Sequence, residues 1–155
     1  MYSIIKKVKN MSAIFKNLCY NYCRTNERGN DMPKIHVKTT LTGDGVNHKV
    51  ESKGILQKHK ILYQESDLKV TVEIQDDKVI LYRDCKDYNL MLPFALHEKT
   101  NGIEKMKQFP LQIDAVIDTK EMIIKDKEIT IIYDLTFGGE FLGEYHYHLI
   151  YEVIK

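Results

Sequence analysis

Arg83 is the residue whose type and position most directly suggest chemistry. It follows Val79 and Leu81 at a spacing of two, so on a β-strand it shares their face and points inward with them. A buried guanidinium needs a carboxylate, because an unpaired charge in the interior is costly, and Glu65 and Glu51 are the candidates. We expect Arg83 and Glu65 to meet inside or at the rim of the fold. Arg83 is then either a purely structural partner or an anchor for a carboxylate or phosphate.

Six tyrosines lie in alternating, strand-like segments, and their hydroxyl groups are further candidates for ligand contacts. They are Tyr63, Tyr82, Tyr133, Tyr145, Tyr147 and Tyr151. A packed core explains tyrosines of this kind, since the side chain favours strands and buries a large area. Alternatively, inward hydroxyls around an apolar cavity suit a small amphipathic molecule. For such a ligand site we predict Arg83, Glu65, Tyr63, Tyr133 and Tyr147 as the binding residues.

Residues 145–148, Tyr-His-Tyr-His, place two imidazoles on one face of a strand, an arrangement that can chelate a divalent metal. Because Tyr147 and Leu149 are expected to face the core, His146 and His148 face solvent instead. No third metal ligand is visible in the sequence. We therefore predict exposed histidines and no metal site.

The sequence contains no recognisable catalytic motif. Cys85 lies among charged residues, but a lone thiol without an assigned histidine base is typically inert. Gly138 and Gly139 connect two strands and lack the context of a phosphate-binding loop. Whether the protein is an enzyme stays open at this point, with a non-enzymatic role favoured and no cofactor predicted.

Alternation of apolar and polar residues predicts the elements that position these side chains. In the segment Glu128–Lys155, two alternating stretches meet at Gly138 and Gly139, which predicts a long hairpin with an aromatic inner face that continues to Val153. Two strands of about ten residues cannot bury such a face alone, so they require a larger sheet or a barrel.

Shorter segments of the same period follow one another from Met32 onward. They are residues 35–40, 46–54, 60–64, 68–74, 79–83, 88–94, 111–117 and 122–125. Residues 95–110 are the least regular, and we predict a long loop or a short frayed strand in the middle of this segment. Pro93 indicates an edge or a strand end. About nine or ten antiparallel strands with almost no helical pattern predict an all-β closed barrel or sandwich over residues 32–155.

Residues 1–31 differ from the rest of the chain in both period and charge. Their apolar residues recur with helical spacing, at Ile4, Val8, Met11, Phe15, Leu18 and Tyr22. They include six Lys/Arg against two Asp/Glu, whereas residues 32–155 carry 17 against 20. We predict a short, basic, helical or disordered arm. Three interpretations stay open: a helix that binds a membrane surface or a protein, a lid on the barrel, and a non-native extension upstream of a start at Met32.

The composition disfavours several classes of protein. A length of 155 residues with 43% hydrophobic and 29% charged residues is typical of one globular domain. The acidic balance of residues 32–155 makes nucleic acid an unfavourable partner. Three cysteines without a paired motif, no apolar run of membrane-spanning length and no signal-peptide pattern favour a cytoplasmic protein.

The order of these features resembles the YwiB-like family, which comprises small bacterial proteins of unknown function with a calycin-like (lipocalin-like) β-barrel. The matching segments are Glu51–Gly54, Leu62–Glu65, Val79–Arg83, Met91–Phe94 and Ile129–Leu135. The resemblance covers residues 35–154. It implies the barrel fold and carries no activity that could be transferred.

Two functional hypotheses follow from the sequence. The favoured one is a non-enzymatic module that binds a small amphipathic or anionic ligand inside the barrel through Arg83 and inward tyrosines. The alternative is a protein-interaction or membrane-surface adaptor that acts through the basic helix predicted within residues 1–31.

Overall fold

The computed structural model describes residues 32–155, so the arm predicted for residues 1–31 lies outside the described residues. The described chain is a series of β-strands joined by short connections. Their bounds are β1 Lys34–Gly43, β2 Val46–Gln57, β3 Lys60–Glu65, β4 Leu68–Ile74, β5 Lys78–Asp84, β6 Tyr88–Ala95, β7 Lys99–Met106, β8 Gln112–Lys125, β9 Glu128–Phe137 and β10 Glu140–Val153.

The ten strands form one closed antiparallel barrel in which neighbours in sequence are neighbours in space. The barrel closes where β1 pairs with β10 on one side and with β2 on the other. The prediction of an all-β antiparallel barrel is therefore confirmed, and the sandwich alternative is not. Within residues 32–155 there is no helix long and apolar enough to span a membrane.

The interior is lined by alternate residues of each strand, as a period of two requires. β9 shows this most clearly, because five alternate side chains are at most 5% exposed: Ile129, Ile131, Tyr133, Leu135 and Phe137. On β10, Tyr145, Tyr147 and Leu149 continue the same buried layer. The predicted inner face does not extend to Val153, which is 40% exposed because it is the last residue of β10 and lies at the rim.

The middle of residues 95–110, predicted as a long loop or a short frayed strand, forms the strand β7, which pairs with both β6 and β8, so the loop alternative is wrong. Its sequence pattern is weak because Gly102 stands at an inward position, where a Cβ would overlap the carbonyl oxygen of Met91. The two segments predicted between residues 111 and 125 form the single strand β8. A bulge between Thr119 and Glu121 shifts the inward positions by one residue, which breaks the alternation.

Pro93 lies inside β6 rather than at its end. β6 pairs with β5 as far as Ala95, but its pairing with β7 stops at Met91. The missing N–H of Pro93 therefore falls where only one side of the strand is still paired. The carbonyl of Pro93 accepts a hydrogen bond from the hydroxyl of Thr100 on that side.

β2 separates from β3 toward the end of the barrel that carries the β3–β4 and β5–β6 turns. β1 pairs with β2 from Val46 to Ile55, whereas β3 pairs with it only from Gly54 to Gln57. The two strands approach closely at Gly54, where a Cβ would overlap the carbonyl oxygen of Leu62. The part of β2 before Gly54 thus runs beyond the β2–β3 ladder, and its inward side chains can reach residues at the end of β3.

We expect Gly54→Ala to destabilise the barrel by about 1–3 kcal/mol, because the added methyl group must displace the β3 main chain. Urea unfolding followed by circular dichroism measures this change. Ser52→Ala is the matched control, since Ser52 lies two residues earlier on the same face of β2 and is expected to unfold with a nearly unchanged midpoint. Equal stability of the Gly54→Ala variant and the unmodified protein would contradict the close approach.

Candidate functional site

Arg83 points into the barrel near the end of β5 and is 5% exposed. In the strand register it lies between Val70 of β4 and Leu90 of β6, both of which are buried. Its Nη1 lies 3.5 Å from Oε2 of Glu65, the last residue of β3. The predicted meeting of Arg83 and Glu65 is therefore present, and both side chains are buried.

Glu65 also contacts a residue that sequence reasoning missed. Its Oε1 lies 2.5 Å from Nε2 of His48, in the part of β2 beyond the β2–β3 ladder. Its Oε2, by contrast, has no hydrogen-bond partner among the described residues. The signal for His48 was the alternation Val46-Asn-His-Lys-Val50, which puts the imidazole on the inward face of β2.

Glu51, the other carboxylate considered for Arg83, does not reach it. Its side chain is 63% exposed, and its Oε1 lies 3.3 Å from Nζ of Lys38 on β1. The physical reason is strand phase, because Glu51 is three residues from His48 and so lies on the opposite, outer face of β2. The structure therefore leaves Glu65 as the acidic partner of Arg83.

Two of the predicted tyrosines lie beside this ion pair. The hydroxyls of Tyr63 and Tyr147 are 3.2 Å apart and form a buried hydrogen bond. Tyr63 precedes Glu65 by two residues on the same face of β3, and its cross-strand partner Val70 is also the partner of Arg83. The phenol pair and the ion pair therefore belong to one cluster.

The third predicted tyrosine, Tyr133, is buried in an aromatic group. Its ring centroid lies 4.8 Å from that of Phe94 and 5.8 Å from that of Tyr145. Tyr88, which was not predicted for the site, is also buried, and it interacts electrostatically with Arg83. The sequence pattern did not identify Tyr88 as a site residue, because it is the first residue of β6 and directly follows a charged turn.

The two charged groups of the cluster stabilise each other's ionised form. Burial alone would raise the pKa of Glu65, but the positive charge of Arg83 and the hydrogen bond from His48 outweigh it, so the pKa is lowered. Burial alone would lower the pKa of Arg83, but the negative charge of Glu65 outweighs it, so that pKa is raised. Arg83 and Glu65 are therefore both charged at neutral pH.

The buried phenols of the cluster remain protonated at neutral pH. Burial raises the pKa of Tyr63 to about 12, with a further increase from the charge of Glu65. Burial also raises the pKa of Tyr147 well above its ordinary value and raises the pKa of Tyr133 and Tyr88. Protonated phenols keep an O–H that can donate a hydrogen bond.

The predicted outward orientation of His146 and His148 is confirmed. Their side chains are 51% and 43% exposed, and their Nε2 atoms lie 3.0 Å from Glu144 and 3.6 Å from Glu128. No group of three or more His, Cys, Asp or Glu residues in residues 32–155 has a geometry that could hold a metal ion. Cys85 is a half-buried free thiol.

A separate open groove of about 510 Å³ lies at the surface, beside the β8–β9 turn and the end of β10. It is lined by residues such as Glu128, Ile150 and Tyr151 and contains none of the predicted ligand-binding residues. The groove is therefore distinct from the Arg83 cluster.

The fold and the cluster define a closed antiparallel barrel with a buried ionic and phenolic group near one end. The model of a domain of unknown function, DUF1934, matches residues 35–149, and the chain therefore belongs to the DUF1934 family.

The crystal structure of the YwiB protein from Bacillus subtilis is similar, with a TM-score of 0.55 and 16% sequence identity over 84% of this chain and 99% of YwiB. At this identity the likeness shows the fold alone. No curated protein matches the chain. The predicted resemblance to YwiB-like proteins of unknown function is confirmed.

We expect that removing either partner of the buried pair will destabilise the protein by about 3–5 kcal/mol, because the other charge stays buried without its partner. Urea unfolding of Glu65→Gln, Arg83→Met and the double variant gives the coupling energy. The exposed Lys38–Glu51 pair is the control, and Lys38→Met is expected to cost less than about 1 kcal/mol. Additive effects of the two buried substitutions would contradict a direct interaction.

The lowered pKa of Glu65 also predicts an acid dependence of stability. The stabilisation is fully present above the pKa of glutamate in the unfolded chain, about 4.3, and is lost as pH falls through the lower pKa of the folded state. Unfolding midpoints measured from pH 6 to pH 3, a range that spans about 4.3, should therefore fall less steeply for Glu65→Gln than for the unmodified protein. When Arg83 is already replaced by Met, the further change Glu65→Gln should alter the pH dependence of the unfolding midpoint less than it does in the unmodified protein. An equal slope in all four proteins would contradict a lowered pKa.

Proposed function

We propose that this protein is a non-enzymatic cytoplasmic module whose barrel binds a small amphipathic or anionic molecule, with Arg83 as its anchor. The observation that carries the proposal is the state of the guanidinium. It is only 5% exposed, and its acidic partner Glu65 lies 3.5 Å away. That distance exceeds the normal length of a charge-assisted hydrogen bond.

The donors of Arg83 favour an anion with two oxygens. A guanidinium presents five N–H donors in a planar fork, and this fork matches the two oxygens of a carboxylate or phosphate. Glu65 balances the charge without occupying the fork, because its other oxygen is held at 2.5 Å from His48. A carboxylate or phosphate group from a ligand would accept hydrogen bonds from this fork in bidentate geometry.

The rest of the cluster favours an amphipathic molecule. Val70 and Leu90 flank Arg83 with apolar surface, while Tyr63 and Tyr147 place hydroxyl groups beside it. The diameter of a barrel grows with its strand number, and eight strands already leave an interior that side chains fill or that holds one small ligand. A barrel of ten strands has a wider interior, which supports a ligand site.

The protonation states suit recognition better than proton transfer. Arg83 and Glu65 stay charged near pH 7, and the buried tyrosines stay protonated, because the shifts in pKa hold each group in one form. A general acid or base works best when its pKa lies near the operating pH. The adaptor alternative depends on residues 1–31, which lie outside the described residues, and it remains an untested prediction.

We expect sodium octanoate to raise the melting temperature of the full chain and to bind in isothermal titration calorimetry, whereas octanol, with the same apolar chain, binds more weakly. Arg83→Lys keeps the charge but loses the fork, so the affinity for octanoate should fall on the order of tenfold or more. Lys38→Met is the matched surface control and should bind normally. Equal affinity for octanoate and octanol, or no effect of Arg83→Lys, would count against the proposal.

A further inference from the structure

Glu65 lies between His48 and Arg83 and is closer to His48. Its Oε1 is 2.5 Å from His48, within hydrogen-bond distance, whereas its Oε2 is 3.5 Å from Arg83 and makes no hydrogen bond within the described chain. A carboxylate optimally paired with a guanidinium would share both oxygens with it. The contact with His48 therefore accompanies a loose contact with Arg83.

His48 is the member of this chain of contacts that is open to solvent. Its side chain is 29% exposed, compared with 2% for Glu65 and 6% for Arg83. It occupies this position because β2 extends past its ladder with β3. A proton from solvent can thus reach the imidazole, which contacts Glu65 directly.

We infer that His48 is a positioning residue that holds Glu65 away from Arg83, and that binding of a monoanionic carboxylate in the barrel is coupled to protonation of His48. This inference rests on the proposed function, because it concerns the same anion site. Its consequence is that the affinity for the carboxylate increases as pH falls.

The charges of the cluster give the direction of the coupling. With a neutral imidazole, Arg83 and Glu65 cancel, so an entering anion adds an uncompensated negative charge to a buried site near the carboxyl group of Glu104. With a protonated imidazole, these three groups carry one net positive charge, which the anion neutralises. Binding is therefore accompanied by uptake of a proton wherever free His48 is neutral.

The other groups facing the cluster do not replace His48 in this role. The other titratable groups that interact with Arg83, Tyr63 or Tyr88 are Tyr63 itself on β3, Cys85 after β5, Tyr88 itself on β6, Glu104 on β7 and Tyr147 on β10. β1 and β4 contribute the uncharged residues Thr39, Leu41, Leu68 and Val70. The phenols are neutral near pH 7 and Glu104 adds no positive charge, so among these groups the imidazole is the one that can add a second positive charge to that of Arg83.

The test measures octanoate binding to the full chain by isothermal titration calorimetry between about pH 6 and 8.5, the upper part of the range in which imidazole titrates. Octanoate itself stays ionised over this range, so a change in affinity reports the protein. We expect binding about 5-fold or more tighter at the low end than at the high end, a typical size for coupling between two sites. Buffers of different ionisation enthalpy should reveal the proton taken up.

Two histidine variants separate the role of His48 from a general effect of pH. His48→Gln can still donate a hydrogen bond to Glu65 but cannot become charged, so its affinity should be nearly independent of pH. His36→Gln is the control, because His36 lies on neighbouring β1 as a 36% exposed imidazole, 4.0 Å from the exposed Glu51. It should keep the pH dependence of the unmodified protein.

The possible failures are distinguishable. If octanoate binding depends on Arg83 but His48→Gln keeps the full pH dependence, the inference is wrong and the proposed function stands. If octanoate does not bind, or Arg83→Lys has no effect, both are wrong. Should His48→Gln fail to fold, NMR titration of the unmodified protein decides: the midpoint of the His48 signal should move to higher pH with octanoate, and an unchanged midpoint overturns the coupling.

Discussion

The buried charge of Arg83 is the constraint that organises this end of the barrel. A guanidinium inside a fold requires a carboxylate nearby, and the last residue of β3 supplies it. Glu65 is itself 2% exposed and needs a second partner, which reaches it from β2 as the imidazole of His48. Side chains thus connect β2, β3 and β5 at a point where main-chain pairing between β2 and β3 has stopped.

The order of the strands brings these side chains together without long loops between the strands. Because every strand pairs with its sequence neighbours, inward residues of β3 and β5 lie one strand apart, and Val70 of β4 pairs with both Tyr63 and Arg83. Gly54 lets β3 approach β2 before the two strands separate. The polar cluster therefore depends on local irregularity in an otherwise regular barrel, which is a common setting for functional residues.

Most of the correct sequence predictions came from the alternation of inward and outward residues along each strand. It placed Arg83 and Glu65 on inward faces, and the short spacing between their strands made their meeting a reasonable expectation. It could also have excluded Glu51 and found His48, since both assignments follow from the alternation around Val50. The residue at which β2 stops pairing with β3, however, depends on contacts between strands. The alternation of residues within one strand does not predict it. The bulge in β8 was hidden for a related reason, because a single extra residue reverses the phase of every later position.

The geometry of the pair also bears on whether it is merely structural. Well-packed apolar residues often replace a buried ion pair without loss of stability, so such a pair is weak evidence for a stabilising role. In this barrel Glu65 has its shorter contact with His48, at 2.5 Å, and its contact with Arg83 is longer, at 3.5 Å. The nearby phenols are protonated and add further donors. The proposed anion site rests on this arrangement, because a guanidinium and neighbouring O–H donors are the groups that recognise a carboxylate or phosphate.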